Sequence, residues 1–281
     1  MSLTALPRID TRPFFRPVSS ALVALLNDLP TAGWEIETVA GSWTVRDVVA
    51  HLIDLTLRRL SFHRDGMPPP PPPRPIRSNQ EFVAFINTLN AEWVVAARRL
   101  SPRVLTDLFA RASSELADWF EALPLEAPAL FSVSWAGEST SEGWFDVGRE
   151  FTELWHHQQQ IRMAVGAPSL DDPQYLRAVI EIALRGLRHA YRNVEATVGD
   201  TIALEVSGPA GGRWTIRRDE GRWTVLQGST PDARTHVRLS DDTAWQLLFN
   251  ALDRDDARRA IQIEGDQPLA APLLAARSVI V

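Results

Sequence analysis

Cysteine is absent from this chain of 281 residues. Its absence excludes disulfide bonds, cysteine metal ligands and cysteine nucleophiles. A chain without cysteine fits a reducing compartment, so we expect a cytoplasmic protein. The first residues also lack the continuous apolar core of a secretory signal, which agrees with that expectation.

Basic tracts and long apolar runs are missing as well. The chain has 29 Lys and Arg residues against 35 Asp and Glu residues, a net charge of -6, and its basic residues are spread along its length. This distribution argues against nucleic acid and against a membrane surface as partners. No segment approaches the ~18 consecutive apolar residues of a membrane helix. The glycine motifs of phosphate loops and the serine elbow of hydrolases are also absent.

The pattern of apolar residues changes along the chain. Helical spacing dominates the first two thirds, and strict alternation typical of strands begins after Gly199. Hydrophobic residues make up 45% and charged residues 23%, which is typical of globular proteins. We therefore predict a mainly α domain over residues 1–198 and a smaller α+β domain over residues 199–281.

Capping residues and apolar stripes set the expected limits of the elements. Thr44 with Asp47, and Ser78 with Glu81, have the spacing of capping boxes at helix starts. The six consecutive prolines after Met67 predict a stiff extended connection. The predicted helices are 17–30, 44–64, 78–100, 102–123, 144–166, 172–197, 241–252 and 268–280, and the predicted strands are 201–208, 212–221, 222–229, 233–240 and 260–266.

Two polar residues on the predicted helix 144–166 have the spacing of metal ligands. Glu153 and His157 are four residues apart, so both side chains project from nearly the same side of the helix. A carboxylate and an imidazole one turn apart provide two thirds of a mononuclear metal site. Such pairs are also common on solvated helix faces, so a third ligand decides between the two interpretations.

His51 is the candidate for that third ligand. It lies beside the apolar stripe of the predicted helix 44–64, where a histidine needs either a hydrogen-bonding partner or a metal. In helical bundles, side chains from facing helices converge in the core and build metal sites there. His51, Glu153 and His157 would form a site with an open position, a pattern typical of catalytic Zn²⁺. Ni²⁺, Co²⁺ or Fe²⁺ would also accept these ligands.

Two segments resemble known family signatures. GSWTVRDVVAHL, residues 41–52, resembles the second-helix signature of the mycothiol-dependent maleylpyruvate isomerase family, part of the DinB-like superfamily. ELWHHQQQIRMAVG, residues 153–166, resembles that family's second signature. Near the C-terminus, VRLSDDTAWQLL and IQIEGDQPLAAPLL resemble the sterol-carrier-like domain that often follows it.

The resemblance implies both a fold and a chemistry. It implies a DinB-like four-helix bundle with a divalent metal held by His51, Glu153 and His157, followed by a sterol-carrier-like α+β domain. A small thiol such as mycothiol would bind the open metal position, for cis–trans isomerisation of a small electrophile or S-transfer to it. The chain would act as a monomer or homodimer. A non-catalytic metal-containing binding protein and a metal-hydroxide hydrolase remain alternatives.

Two further residues of the helix 144–166 are candidates for catalytic roles. Members of the family commonly carry Asp three residues after the last ligand, where this chain has Gln160. Gln160 faces the same side as His157, but glutamine cannot serve as a general base, so a step that needs the aspartate would be missing. Glu150 lies two turns before His157 and is either a partner of a ligand, a base, or a surface carboxylate.

The remaining candidates lie outside the proposed ligand set. Arg213 and Arg217 are on a predicted hairpin and could bind a carboxylate substrate, although a solvated strand face is the simpler interpretation. His156 is rotated by about 100° from His157, so we do not expect it to be a ligand. His63 is twelve residues after His51, and we expect it to face solvent.

Overall fold

The computed structural model describes residues 3–279, except the side chains of Asn79 and Arg254. It confirms a mainly helical region followed by a region built on a β-sheet. The described chain forms two compact units. The helical unit consists of residues 11–125 and 153–170, and the sheet unit of residues 3–10, 126–152 and 171–279. None of the described helices is long and apolar enough to cross a membrane.

Seven helices precede the main strands. They are α1 (Phe15–Asp28), α2 (Val45–Arg58), α3 (Asn79–Ala97), α4 (Pro102–Glu121), α5 (Gly143–Val165), α6 (Pro173–Leu184) and α7 (Leu187–Ala190). Apart from the C-terminal end of α2, the first five match the predicted helices within three residues at each end. In the helical unit, α1 packs against α4, and α2 packs against both α3 and α4. Whether this unit corresponds to a four-helix bundle stays a prediction.

The start of α2 is fixed by its capping residues. The hydroxyl of Thr44 accepts a hydrogen bond from the Asp47 N–H, and the Asp47 carboxylate accepts one from the Thr44 N–H. Asp47 also accepts two hydrogen bonds from Arg98, at 3.0 and 2.9 Å. These bonds satisfy amide groups that a helix start leaves open and hold α2 in register beside α3.

The end of α2 differs from the prediction. Residues Arg59–Arg64 form a π-helical turn, with the Asp65 N–H bonded to the Leu60 carbonyl at 3.0 Å. A π turn adds a residue and rotates the side chains that follow it. His63 is therefore half-buried, at 2.8 Å from a guanidinium nitrogen of Arg59 and beside Trp119, so the prediction that it faces solvent was wrong.

The sheet unit contains six strands. They are β1 (Thr4–Ala5), β2 (Thr201–Ser207), β3 (Gly212–Asp219), β4 (Arg222–Gln227), β5 (Thr235–Ser240) and β6 (Gln262–Gly265), in the sheet order β1-β4-β3-β2-β5-β6. Strands β2 and β5 pair in parallel, and the other neighbours are antiparallel. Buried and less buried residues alternate along β4 and β5, whereas the first four residues of β2 are all buried. The prediction located β2 to β6, and alternation is clearest where one face of a strand is buried.

The C-terminal helices are α8 (Asp241–Leu248), α9 (Arg254–Ala260) and α10 (Gln267–Ala275). Helix α8 ends earlier than predicted, at Leu248. Helix α9 and strand β1 were missed, because one is only seven residues long and the other only two. The last residue of the predicted helix 268–280, Ile280, lies outside the described residues.

The predicted helix 172–197 was wrong beyond Leu184. Helix α6 ends there, and α7 is a separate helix of four residues. A Cβ at Gly186, between them, would lie 3.0 Å from the ring of Trp135, so the close approach favours glycine at the break. The compact sheet unit includes α6 and α7. The predicted boundary at residue 198 instead marks the point where helices give way to strands. The division into domains 1–198 and 199–281 stays a prediction.

Candidate metal centre

Helices α2 and α5 bring three potential ligands together in the helical unit. His51, Glu153 and His157 each offer one ligand atom, and these atoms lie within 4.8 Å of one another. Two ligands about 2.0 Å from a tetrahedral metal are about 3.3 Å apart. The Glu153 and His157 atoms, at 3.4 Å, already have this separation. Small side-chain rotations would bring His51 to the same distance, so the three residues fit a metal ion.

His51 supplies an independent sign of an unfilled bonding position. It is 5% exposed, and its Nδ1 has no hydrogen-bond partner among the described residues. Its ring lies 4.9 Å from the rings of Trp43 and His157. A buried polar atom without a partner costs about 1–3 kcal/mol, which a bound ion or a water molecule would offset.

The pair on α5 has the geometry that helical periodicity predicts. The Glu153 carboxylate lies 3.4 Å from His157 Nε2, and the two side chains are only 19% and 9% exposed. The other ring nitrogen of His157, Nδ1, is 2.7 Å from the side-chain oxygen of Gln160. Because that oxygen can only accept, Nδ1 carries the proton and Nε2 of a neutral ring presents a lone pair. A proton on Nε2 makes that nitrogen a donor to Glu153, whereas a metal in the place of that proton would bind the lone pair.

Burial and neighbouring charges shift the pKa values of His51 and Glu153. Burial is the main reason why the pKa of His51 lies well below its usual value, and the nearby His157 lowers it further. Burial raises the pKa of Glu153, but the hydrogen bond from His157 and the charges of the nearby histidines outweigh it and lower that pKa to about 2. At neutral pH the site therefore holds a neutral His51 and an ionised Glu153, the protonation states in which both bind metals.

Comparison with known proteins connects this geometry to a family. The profile described as the mycothiol maleylpyruvate isomerase N-terminal domain matches residues 15–162, just over half of the chain. The chain belongs to this family. The matched range contains all three residues of the cluster. A search of curated proteins finds no match.

Two crystal structures related to the family cover most of the chain. The mycothiol-dependent maleylpyruvate isomerase is 15% identical, with 86% of this chain and 88% of that chain covered and a TM-score of 0.53. A histidine-to-alanine mutant of that enzyme gives 14% identity with the same coverage and TM-score. At this identity the likeness shows the fold. A sterol carrier protein 2-like protein from Aedes aegypti reaches 18% identity over 34% of this chain, but its TM-score is only 0.28, so the sterol-carrier-like prediction stays a prediction.

Gln160, where members of the family commonly carry aspartate, has a contact that the sequence did not predict. It is buried, and its side-chain oxygen faces Nδ1 of His157, the nitrogen that does not face Glu153. This contact suits a residue that orients His157, and the catalytic role of Gln160 stays a prediction. Only the helical spacing from His157 signalled this contact in the sequence.

The two glutamines before Gln160 form hydrogen bonds that the sequence did not predict. The Gln158 amide donates to the Val18 carbonyl of α1 at 2.9 Å. Gln159 donates to the Ser169 hydroxyl at 2.7 Å and accepts from the Leu170 N–H at 2.9 Å. Both side chains are buried, and these bonds link α5 to α1 and to the loop that follows α5.

The other candidate residues have partners of their own. Glu150 is largely buried and forms an ion pair with Arg149 at 3.3 Å. In the sheet unit, Arg213 pairs with Glu205 at 3.0 Å, and Arg217 pairs with Asp219 at 2.7 Å. These pairs agree with the simpler interpretation of a solvated strand face. The catalytic role of Glu150 and the substrate-binding roles of Arg213 and Arg217 stay predictions.

His156 lies next to a ligand candidate without being one of the three residues that converge. Its ring centroid is 4.0 Å from that of His157, and it is buried. Its place is consistent with the expected rotation of about 100° between neighbouring helical residues. We therefore keep His51, Glu153 and His157 as the candidate ligand set.

Proposed function

We propose that this chain is a divalent-metal-dependent enzyme that activates a small thiol such as mycothiol. The thiol would serve cis–trans isomerisation of a small electrophilic substrate or S-transfer to it. The observation that carries the proposal is the convergence of His51, Glu153 and His157 within a segment that matches the family. The family's name supplies the expected thiol and the expected substrate class, and the ligand set supports the metal.

Each residue of the cluster has a role that follows from its chemistry. His51 and His157 would each offer a neutral imidazole nitrogen, and Glu153 would offer one negative charge. Gln160 would hold His157 through Nδ1, so that the lone pair of Nε2 points into the site. Three protein ligands leave a position open for an exogenous group, which is the pattern of catalytic sites. We propose Zn²⁺ as the metal, with Ni²⁺, Co²⁺ and Fe²⁺ as the alternatives that these ligands would accept.

The proposed chemistry needs no nucleophile from the chain. When bound, the divalent cation would lower the pKa of a thiol at the open position, so that a thiolate is present near neutral pH. Because the chain has no cysteine, the sulfur must come from the cosubstrate. A thiolate that adds to an activated double bond leaves a single bond free to rotate, and elimination of the thiolate restores the double bond. Without elimination, the product is the thiol conjugate.

Metal analysis of the purified protein is the first test. We expect about one divalent cation per wild-type chain and loss of that cation in both His51→Ala and Glu153→Ala. His63→Gln is a matched control, because it removes a histidine that lies outside the cluster, and it should keep the metal. A wild-type protein purified without chelators that neither holds nor takes up a divalent cation would contradict the proposal.

Turnover separates the enzyme from its alternatives. The wild type should isomerise maleylpyruvate, or conjugate an activated alkene, only when mycothiol is present, and His51→Ala should not. Metal-dependent hydrolysis without any thiol would instead support a metal-hydroxide hydrolase. A stoichiometric metal without turnover of either kind would support a metal-containing binding protein.

A further inference from the structure

The sheet unit contains a second candidate site, an open cavity of about 290 Å³. Its walls come from the β1 segment, the start of α5, the break between α6 and α7, and strand β4. Its chemically distinctive lining residues are Arg185, Arg188, Arg222, Glu138, Trp144 and Phe145, and we call it the arginine cavity. It shares no residue with the candidate metal centre.

Arg185 is the innermost charge of the arginine cavity. Its guanidinium donates to two backbone carbonyls, those of Glu181 at 2.5 Å and of Pro7, and its centre lies 4.8 Å from the Trp144 ring centroid. Carbonyl oxygens and an aromatic face orient a cation without neutralising it. Burial lowers the pKa of Arg185 to about 10, although the charges of Glu181 and Glu138 oppose that change. The cavity therefore has an excess of positive charge at its wall.

Two more arginines face the cavity with unused donors. The side chains of Arg188 and Arg222 form no hydrogen bond or ion pair with another described residue, and both are exposed. A hydrogen bond from Thr224 is the main reason why the pKa of Asp219 is lowered, and the nearby charge of Arg222 lowers it further. Glu138, the one carboxylate of the lining, accepts a hydrogen bond from Ser141 at 2.5 Å. Three arginines against one carboxylate leave an excess of two positive charges.

Apart from Thr224 the rest of the lining is apolar, and its aromatic side is formed by Trp144, because Phe145, stacked against it, is only 2% exposed. The rings of Trp144 and Phe145 are stacked with their centroids 5.2 Å apart, and the Trp144 N–H is already bonded to Glu142 at 2.7 Å. Leu6, Val225 and Leu226 complete this side. A pocket of this kind combines apolar contact with a few polar groups that fix orientation.

We propose that the arginine cavity binds a small organic carboxylate. Its carboxylate would be held by Arg188 and Arg222, and its apolar body would lie against Trp144, Leu6 and Leu226. The forked guanidinium donors match the two oxygens of a carboxylate, and such charge-assisted bonds are the strong ones. The volume suits a molecule the size of a substituted benzoate or a short branched acid. This site does not depend on the proposed metal chemistry.

Calorimetric titration of the full chain with a matched pair of probes tests this site. Benzoate and benzamide have the same shape but differ in charge, and benzoate should bind at least about tenfold more tightly. The double variant Arg188→Gln with Arg222→Gln should weaken benzoate binding by about tenfold or more. Arg238→Gln removes an arginine from the same sheet outside the cavity, where it pairs with Glu264, and this variant should bind benzoate like the wild type. Both cavity arginines are exposed, so the thermal midpoint of the double variant should stay close to that of the wild type.

Four results would overturn the proposal. They are no benzoate binding to the wild type, equal binding of benzamide, unchanged benzoate affinity in the folded double variant, and an equal loss of affinity in Arg238→Gln. Inorganic phosphate, which carries charge without an apolar body, should bind more weakly than benzoate. Equally tight phosphate binding would contradict the role of Trp144 and the apolar lining.

Discussion

Polar side chains have different bonding partners at the candidate metal centre and on the exposed face of strands β2 and β3. At the centre, Glu153 and His51 are largely buried, and His51 Nδ1 has no partner among the described residues. On the strands, Glu205 and Arg213 are directly opposite each other in the register, 3.0 Å apart, and about half exposed. At the centre, one buried polar atom lacks a hydrogen-bond partner among the described residues, whereas on the strands both charged groups are paired with each other.

This difference indicates which polar clusters are expected to bind a ligand. A buried polar atom without a partner costs about 1–3 kcal/mol. An exposed ion pair contributes about 0–1 kcal/mol and needs nothing further. An incomplete cluster in a buried position is therefore a better indication of a bound ion than the number of charged residues nearby. The same kind of substitution should therefore change metal affinity at the centre but not on the strands.

Removal of a carboxylate from each region should give the largest contrast. Glu153→Ala removes the single negative ligand of the cluster, and we expect the affinity for Zn²⁺ to fall by more than about 100-fold, because even changes behind the ligands cost about 10–100-fold. Glu205→Ala removes a carboxylate of the same type from the sheet and should leave the affinity unchanged. Competition with a chromogenic chelator measures both. Similar losses in the two variants would show that the metal binds elsewhere.

Removal of the Gln160 side chain should have the next largest effect. Gln160→Ala leaves Nδ1 of His157 without its acceptor, so the ring loses its fixed direction and proton position, and metal affinity should fall by about 10–100-fold. Gln159→Ala is the matched control, since Gln159 bonds to Ser169 and Leu170 rather than to a ligand candidate. The same chelator competition should show a smaller loss for Gln159→Ala. If Gln160→Ala binds metal as tightly as the wild type, the hydrogen bond to His157 has no role in positioning.

A third effect should appear in the dependence of stability on pH. Burial lowers the pKa of His63 to about 3, and the charge of Arg59 adds to the shift. Below its ordinary value of 6.5 the unfolded chain binds a proton at this ring, whereas the folded chain does not until about pH 3. The unfolded state then binds more protons, so this residue makes the protein less stable as the pH falls through that window.

His63→Gln should therefore flatten the loss of stability on acidification. Urea unfolding of the metal-free protein at about pH 7 and about pH 5 measures the difference, which should be smaller in the variant than in the wild type. Above pH 7 the imidazole is neutral in both states, so the two proteins should respond alike there. An equal slope between pH 7 and pH 5 would mean that His63 is protonated in the folded protein.

Local periodicity explains which parts of the site could be predicted. Glu153 and His157 share a face because an α-helix returns to the same side after four residues, and this depends on no distant contact. His51 was found because a histidine beside an apolar stripe needs a partner. The bond from His157 to Gln160 was not predicted, since the spacing indicates only a shared side. Which nitrogen faces the amide depends on the packing of the ring.

The errors in the fold have the opposite cause, because they depend on tertiary contacts. Residues 172–197 have helical spacing throughout, but the chain breaks at Gly186, where the Trp135 ring approaches the backbone. Strand β1 is two residues long and forms only because β4 pairs with it. The π turn after Arg58 shifts His63 by an added residue, and no local residue pattern signalled it.

The smallest effect is expected from the exposed ion pair of Glu205 and Arg213 on β2 and β3. Substitutions there test whether the two side chains bind only each other. Arg213→Gln should change the free energy of unfolding by less than about 1 kcal/mol, because a half-exposed ion pair gains little over solvated charges. A double-mutant cycle with Glu205→Gln isolates the pair and should give a coupling energy in the same range. If turnover is established, KM should also stay unchanged in Arg213→Gln. A rise in KM of about tenfold would instead support the predicted substrate-binding role of Arg213, because one charge-assisted hydrogen bond to a carboxylate has about that effect.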